Sequence, residues 1–491
     1  MTETETLDGP DKQRSLAQKI AIGSGTLFGL VLAILIAGYL WLDSSSGHRF
    51  VEKQIEALEF ENGMQLEVGK IDGSIYGDME IASLKIRDPK GVFATADAVR
   101  MDWRPFAFIG SHVDIRSLII PKASLLRLPE LLPTSSEGPL LPDLNIDVGT
   151  LEVGELDIAK AITGERHVLS VSADVKIADA RALLTGDART LARPGIAGGD
   201  SLTFRIDAVP EQNKLDLALN LDAPANGLVA GISGTGQPMN LALNGKGDWA
   251  QWNGALKGKS GGDMLADIAI SARNGTFTVR GDARPGLFVS GPGRNMLEPV
   301  TNIDFTAAGA DRKFDIKGQI GSDNFVLATD GIVDLGNNEL RDLNVDFRLL
   351  RPSVIAANLN GAGVAANMIL NGDFAAPTIA YTINAARIGF DETSVIGLRA
   401  SGNVKLEEEE WRIPLQARAQ RIAGLDEGVG ALLTNVRLDG DFGYANGRLL
   451  SDNLKIVSDR INATAVVVAD LNQGLYTGGL KGRINGYRVE S

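Results

Sequence analysis

The chain has no cysteine, which removes disulfide staples and thiolate metal ligands from consideration. Histidine is nearly as scarce: His48, His112 and His167 are the only three, and they lie far apart. Aromatic residues make up 5% of the chain against 44% apolar residues overall, so Leu, Ile, Val and Ala carry the hydrophobic content. Positive charge is in deficit as well. A formal net charge of -14 offers no continuous basic surface from which a phosphate backbone could release counterions, so nucleic acid is not an expected partner. Glycine is abundant, with 57 residues set between short apolar runs, the profile of a β-rich chain with many reversals.

One long apolar run stands out near the start. No charge occurs from Ala21 to Leu42, and the stretch from Leu27 ends in the interfacial aromatics Tyr39 and Trp41. Roughly 20 such residues cross a hydrocarbon core of about 30 Å. Residues 20–42 are therefore expected to be a transmembrane anchor helix, behind a cytoplasmic tail of residues 1–19. Lys12, Arg14 and Lys19 orient it by the positive-inside rule and send the rest of the chain across an inner membrane. A cleaved signal peptide ending near Ser44 or Ser46 is the competing reading; the length of the apolar run favours the anchor. Gly25 and Gly29 form a small-xxx-small pair of low specificity.

Ser44 to Ser46 can cap a helix whose apolar positions Phe50, Val51, Ile55 and Leu58 lie near one face, giving a juxtamembrane amphipathic helix over residues 43–59. After Gly63 the period changes from that of a helix to that of a strand. Leu202, Phe204 and Ile206, then Leu215, Leu217, Leu219 and Leu221, then Leu241 and Leu243, and later Leu343, Val345, Phe347 and Leu349 alternate with Asp, Asn, Thr, Arg and Lys. Strands with that pattern have one apolar and one wetted face. Asn-Gly at 226, 244, 253, 274, 360, 371, 446 and 485, and Asp-Gly at 72, 330 and 439, predict tight turns between antiparallel strands.

At roughly 13 residues per strand and turn, about 30 strands are expected, and an open sheet of that width must twist and curl. The expected fold is mainly β: the anchor and amphipathic helices, then an elongated, curled antiparallel sheet, a half-pipe with an apolar interior. Pro129 to Pro142 lacks alternation, so residues 60–129 read as a first β module, 130–142 as a Pro-rich linker and 143–491 as the repetitive array, still alternating at its end and so expected to be incomplete. Gly227 to Ile232 and Gly428 to Asn435 read as short helices or buried loops.

Covalent chemistry finds no support. Gly258-Lys259-Ser260-Gly261-Gly262 has the spacing of a nucleophile elbow but no downstream histidine as base. With Gly254 it approaches a P-loop but is one residue short, and no helix follows. The run Glu407 to Glu410 reads as a solvated strand end. No catalytic, cofactor or metal residue is assigned.

Between Ile71 and Leu128 the pattern becomes specific. Gly73-Ser74-Ile75-Tyr76-Gly77 is a turn, Asp88 to Gly91 a D-x-x-G hairpin, and Trp103-Arg104-Pro105 a W-x-P step. This resembles the N-terminal module of the TamB family, the inner-membrane subunits of the translocation and assembly module, within the AsmA-like superfamily. The residues themselves read as structural: Gly73, Gly77 and Gly91 supply turns, Pro105 ends a strand and Trp103 fills space at a reversal.

The resemblance implies a non-enzymatic bridge anchored in the inner membrane and lying in the periplasm. Such a protein carries phospholipid toward the outer membrane and supports outer-membrane protein assembly with a barrel of the TamA or BamA type. The candidate lining for acyl chains is Leu202, Phe204, Ile206, Leu215, Leu217, Leu219, Leu221, Leu241, Leu243, Val345 and Phe347. Two alternatives stay open: a scaffold holding outer-membrane strands by β-augmentation, and a passive β-solenoid spacer in which the same leucines pack on one another.

Overall fold

The computed structural model describes the chain apart from residues 1–31, 33–35, 59, 61, 133–144, 249, 311, 408–409, 426–429, 431, 471–474 and 487–491. Most of the expected anchor and most of the Pro-rich linker lie outside the described residues, as do residues 428, 429 and 431 of Gly428 to Asn435, whose last two residues open a strand instead of belonging to a helix or buried loop. Among the described residues no helix is long and apolar enough to cross a membrane. The fold is mainly β, with few helices. Two compact units divide the chain: residues 1–135, 144–162 and 169–176 form the first, and residues 136–143, 163–168 and 177–491 the second.

In the first unit, helix α1 (Ser45–Glu56) begins at Ser44, whose hydroxyl accepts a hydrogen bond from the Gly47 amide, the usual way of satisfying a first-turn donor. Its strands are β1 (Gln65–Val68), β2 (Ile71–Gly73), β3 (Asp78–Ile81), β4 (Leu84–Asp88), β5 (Gly91–Ala96), β6 (Val99–Trp103), β7 (His112–Leu125) and β8 (Asn145–Ile158). Long strand β7 pairs with β5 through one half and with β6 through the other. Beneath α1 lies a true core of Val68, Ile71, Ile75, Met79, Ile81, Ala96 and Val99, against which Leu42, Val51 and Ile55 pack.

One pairing departs from the expected antiparallel order. Strands β7 and β8 run parallel, because the connection over residues 126–144 is long enough to carry the chain back to the starting end, which a tight turn cannot do.

Strand β9 (His167–Ala178) has residues in both units. The second unit continues with β10 (Arg181–Thr190), β11 (Ser201–Val209), β12 (Lys214–Ala223), β13 (Met239–Gly247), β14 (Gln251–Ser260), β15 (Asp263–Arg273) and β16 (Thr276–Ala283). Then come β17 (Thr301–Ala310), β18 (Lys313–Gly321), β19 (Phe325–Asp334), β20 (Glu339–Leu349), β21 (Leu359–Ala362), β22 (Val364–Asp373) and β23 (Thr378–Phe390). The last are β24 (Thr393–Glu407), β25 (Glu410–Ala423), β26 (Thr434–Ala445), β27 (Arg448–Val457), β28 (Ile461–Asp470) and β29 (Leu475–Ile484). From β10 onward each strand pairs antiparallel with the next, except that β20 pairs with β22 and the short β21 pairs with β23.

This sheet is open and uncurled, which corrects the expected curled half-pipe. Curling toward the apolar side requires contacts that draw its margins together, and the apolar side chains instead stay half-buried. Two small caps close strand ends. Helix α2 (Leu228–Ser233) covers Ala223, Met239 and Leu265, and Asp200 pins its start by accepting from the Leu228 and Val229 amides at 2.8 and 3.1 Å. Elsewhere the buried Asn324 amide donates to the Asn295 and Glu298 carbonyls at 2.8 and 2.9 Å, tying down helix α3 (Pro292–Leu297).

The turn reading needs a second correction. Asn274-Gly275 and Asn446-Gly447 do form two-residue hairpins with left-handed backbone at both positions. By contrast, Asn244, Asn253, Asn360, Asp330 and Asp439 all lie within strands. Their glycines serve close approach instead of reversal: a side chain at Gly245 would stand 2.0 Å from the Trp252 ring, and one at Gly440 would meet the Leu454 backbone at 2.9 Å.

Candidate functional site: an apolar file across the sheet

Directly opposed residues in neighbouring strands share a face, so the register can be followed from strand to strand. Beginning at Gly186 in β10, the partners are Phe204, Leu219, Leu243, Leu256, Ile268, Gly281, Ile303, Ile320 and Leu327. The same line continues through Phe347, Ala366, Ile383, Ala400, Ala417, Leu438, Ile456, Ala463 and Gly482. It runs from β10 to β29 without meeting a polar side chain. The large residues in it are half-buried, neither enclosed nor fully wetted.

A parallel row two residues away holds Leu184, Ile206, Leu217, Gly245, Gly254, Ile270, Val279, Phe305, Gly318, Thr329, Val345 and Met368. Its one polar member, Thr329, is buried and donates to the Asn344 carbonyl at 2.8 Å. On the other side of the file lie Leu202, Leu221 and Leu241, while Leu215 opposes Ala208 farther along β11 and β12. All eleven residues proposed from alternation therefore sit on this one face. Phe204, Leu219, Leu243 and Phe347 occupy the uninterrupted file itself.

Aromatic rings cover the glycines of the second row. Trp252 donates through its indole nitrogen to the Leu215 carbonyl at 2.5 Å and lies over Gly245 and Gly254, Phe305 lies over Gly318, and Tyr381 lies over Gly402. The Tyr381 hydroxyl donates to the Pro414 carbonyl at 2.8 Å, and burial pushes its pKa up. A glycine under a ring lets the ring lie close against the backbone, where a side chain would exclude it.

The reverse face is wet and charge-balanced along much of its length. Lys257 on β14 faces Asp267 on β15 at 3.5 Å, and Arg280 on β16 faces Asp304 on β17 at 2.8 Å.

The first unit holds the residues of the family-like motif. Gly73 has φ +92°, and a side chain there would meet the Asp78 carbonyl at 2.6 Å; Gly91 has φ +117°. Gly77 closes a turn by donating to the Ser74 carbonyl at 3.1 Å, without left-handed backbone. The Ser74 hydroxyl and Ile75 amide donate to Asp43 at 2.9 and 3.0 Å, so this turn fastens the strands to the start of α1. Asp88 is buried and accepts from both terminal nitrogens of Arg127 at 2.5 and 2.7 Å and from the Lys90 and Glu130 amides. The Arg127 guanidinium, aided by those amides, holds its carboxyl far below the usual carboxylate range. Trp103 donates to the Ile75 carbonyl at 2.9 Å, and Pro105 opens a 3₁₀ turn, Pro105–Gly110. These residues brace the module.

That 3₁₀ turn is more than a strand end. Phe106, Phe108 and Ile109 are 59, 60 and 86% exposed, and Phe106 stacks on Tyr39 and Tyr76 at 6.3 and 5.8 Å. The exposed Leu40, Trp41 and Phe50 belong to the adjoining helical segments. Nothing in the sequence marks this cluster, because a proline after a strand signals only the strand's end.

Gly258 to Gly262 ends β14 and turns into β15, and Glu407 and Glu410 end and begin strands. Among the described residues no group of His, Asp and Glu is arranged to hold a metal ion. Comparison of the chain with protein-family models, with curated proteins and with solved structures finds no match in any of the three.

Proposed function

We propose that the second unit carries phospholipid acyl chains along its apolar file, and that the first unit holds the protein at an inner membrane facing the periplasm. The observation supporting this reading is the unbroken line from Gly186 to Gly482. A carrier needs a path with no polar step. Burying a methylene is worth about 0.8 kcal/mol, so a chain sliding from rung to rung keeps most of its burial, whereas one leaving into water faces a barrier on the order of ten kcal/mol. Half-buried rungs suit this task better than a sealed core, because they leave room for an apolar guest.

An acyl chain lying on the file covers apolar side chains that the open sheet leaves half-buried. Head groups stay in water at the open side. The exposed Phe106, Phe108 and Ile109 turn, stacked through Phe106 on Tyr39 and Tyr76, suits a membrane interface, where aromatic rings are favoured. Delivery toward an outer membrane, with a barrel protein as receiver, completes the reading, and no covalent step is involved.

The test is lipid extraction and native mass spectrometry of the full chain purified in neutral detergent. Leu219→Asp with Leu243→Asp should lower the phospholipid recovered, while Asn220→Asp with Ala242→Asp, on the reverse face, should leave it unchanged. Equal recovery from both double variants, or none from the natural chain, would overturn the proposal.

One observation favours a second reading, a scaffold that captures strands by edge pairing. Among the described residues β29 pairs only with β28 and is exposed along its whole length, Leu475, Tyr476 and Leu480 included. Capture predicts binding of extended outer-membrane peptides that is lost when Gly478→Pro removes an edge donor and is indifferent to Leu219→Asp.

A further inference from the structure

On the wet face of the second unit, the row beside the apolar file reads Asn384, Arg399, Arg418, Arg437 and Val457 across β23 to β27. Three arginines on three consecutive strands thus oppose one another directly. Like charges so placed destabilise a sheet, and elsewhere on this face cations such as Lys257, Arg280 and Arg412 have carboxylate partners. No ion pair or hydrogen bond engages these three guanidinium groups within the described residues. Neither Asp459, on the wall of the same depression, nor Asp439 forms an ion pair with them. Asp459 accepts from the Thr434 hydroxyl and the Asn435 amide, both at 2.8 Å, and Asp439, two residues from Arg437, opposes Gln416 and Lys455.

The arginines line a depression of about 1030 Å³ together with Asn384, Gln420, Asn435 and Asp459. Gly397 and Asn435 on its walls are left-handed, at φ +67° and +51°, and a side chain at Gly397 would meet that of Gln420 at 2.7 Å.

We infer that this depression is a binding site for an anion bearing two or more phosphate groups, held across the Arg399, Arg418 and Arg437 ladder. The chemistry follows from the spacing. Strands lie about 4.7 to 4.9 Å apart, so three rungs span roughly 10 Å, too far for one small anion to neutralise all three cations. A phosphate offers several acceptor oxygens, and the planar fork of arginine matches two of them at once. A doubly phosphorylated anion can therefore bridge adjacent rungs at both ends of the ladder, turning a repulsive row into a clamp. This site lies on the face opposite the apolar file, so it stands whether or not acyl chains occupy that file. Two sources share the chemistry: a soluble polyphosphate and the clustered head groups of an anionic lipid.

The test uses the full chain in neutral detergent. In one arm tripolyphosphate is titrated by calorimetry and thermal shift, with citrate at matched ionic strength as the carboxylate control. In the other, the micelles are doped with phosphatidylglycerol or with phosphatidylcholine. Binding in the first arm identifies a soluble ligand, and a thermal shift with phosphatidylglycerol alone identifies lipid head groups. Arg418→Gln should weaken whichever binding is seen by about tenfold or more, the usual scale for losing a charge-assisted pair. It should also raise the melting temperature of the ligand-free protein, because the central repulsion is gone. Absence of binding in both arms, equal binding of citrate, or unchanged affinity in Arg418→Gln would each overturn the inference.

Discussion

The two units use apolar residues in opposite ways. Ile71, at 1% exposure, lies under a helix and among strands that leave no solvent path to it. Leu219, Leu243 and Leu256 repeat along a sheet face and stay half-buried. In the first unit burial stabilises the fold. In the second much of the same potential is left unspent on the open face, where backbone pairing and small end caps hold the strands while the surface remains available. A domain built only for stability would have covered that face.

The sharpest way to break this contrast is to truncate one residue of each kind. Ile71→Ala should destabilise the first unit by about 2 to 5 kcal/mol, as deletions in a sealed core do. Leu243→Ala, where solvent and neighbours already share the site, should cost less than half as much. Urea denaturation followed by limited proteolysis, which reports the units separately, measures both. Equal costs would mean that the file is a core like any other.

A smaller effect is expected from the contact between glycine and ring. Gly245→Val places methyl groups where the Trp252 ring lies, and overpacking of that kind costs about 1 to 3 kcal/mol. The variant should shift tryptophan fluorescence to the red as the ring is expelled, and pairing it with Trp252→Ala should restore most of the lost stability. Failure of that rescue would separate the glycine from the ring.

The narrowest test concerns Asp88, whose folded pKa is depressed by Arg127 and two amides. A depressed carboxyl contributes stability that is fully present above its unfolded value, about 3.9, and is lost as pH falls toward the folded value. The stability of the first unit should therefore fall with acid below about pH 4, and Asp88→Asn should flatten that slope by about one proton. Parallel slopes for the natural and variant proteins would remove the clamp from the acid response.

The alternation of Leu215, Leu217, Leu219 and Leu221 already says that one face is apolar, since a pleated strand has only two sides. What alternation within a strand cannot say is which residue faces which across the gap. The line from Gly186 to Gly482 depends on pairings between segments, set by turn lengths and by bulges such as that between Asp330 and Ile332. The arginine ladder was hidden for the same reason: Arg399, Arg418 and Arg437 are unremarkable in their own strands and adjacent only in register. Asn-Gly misled at positions 244 and 253 because glycine has two uses in a sheet, to turn the chain and to admit a ring. The exposure of Phe106, Phe108 and Ile109 is not legible in sequence, because a short apolar stretch after a proline has the same composition on a surface as in a core.

Each hairpin of the second unit touches mainly its two neighbours, so the array behaves as a one-dimensional stack. A pair of strands added or removed as a whole returns the chain to the same edge with the same side up, and the greasy line is simply lengthened or shortened. A single residue inserted inside one strand would turn every later side chain of that strand over and put a charge in the path. Span is therefore easy for evolution to adjust in this architecture, while the phase of each strand is not.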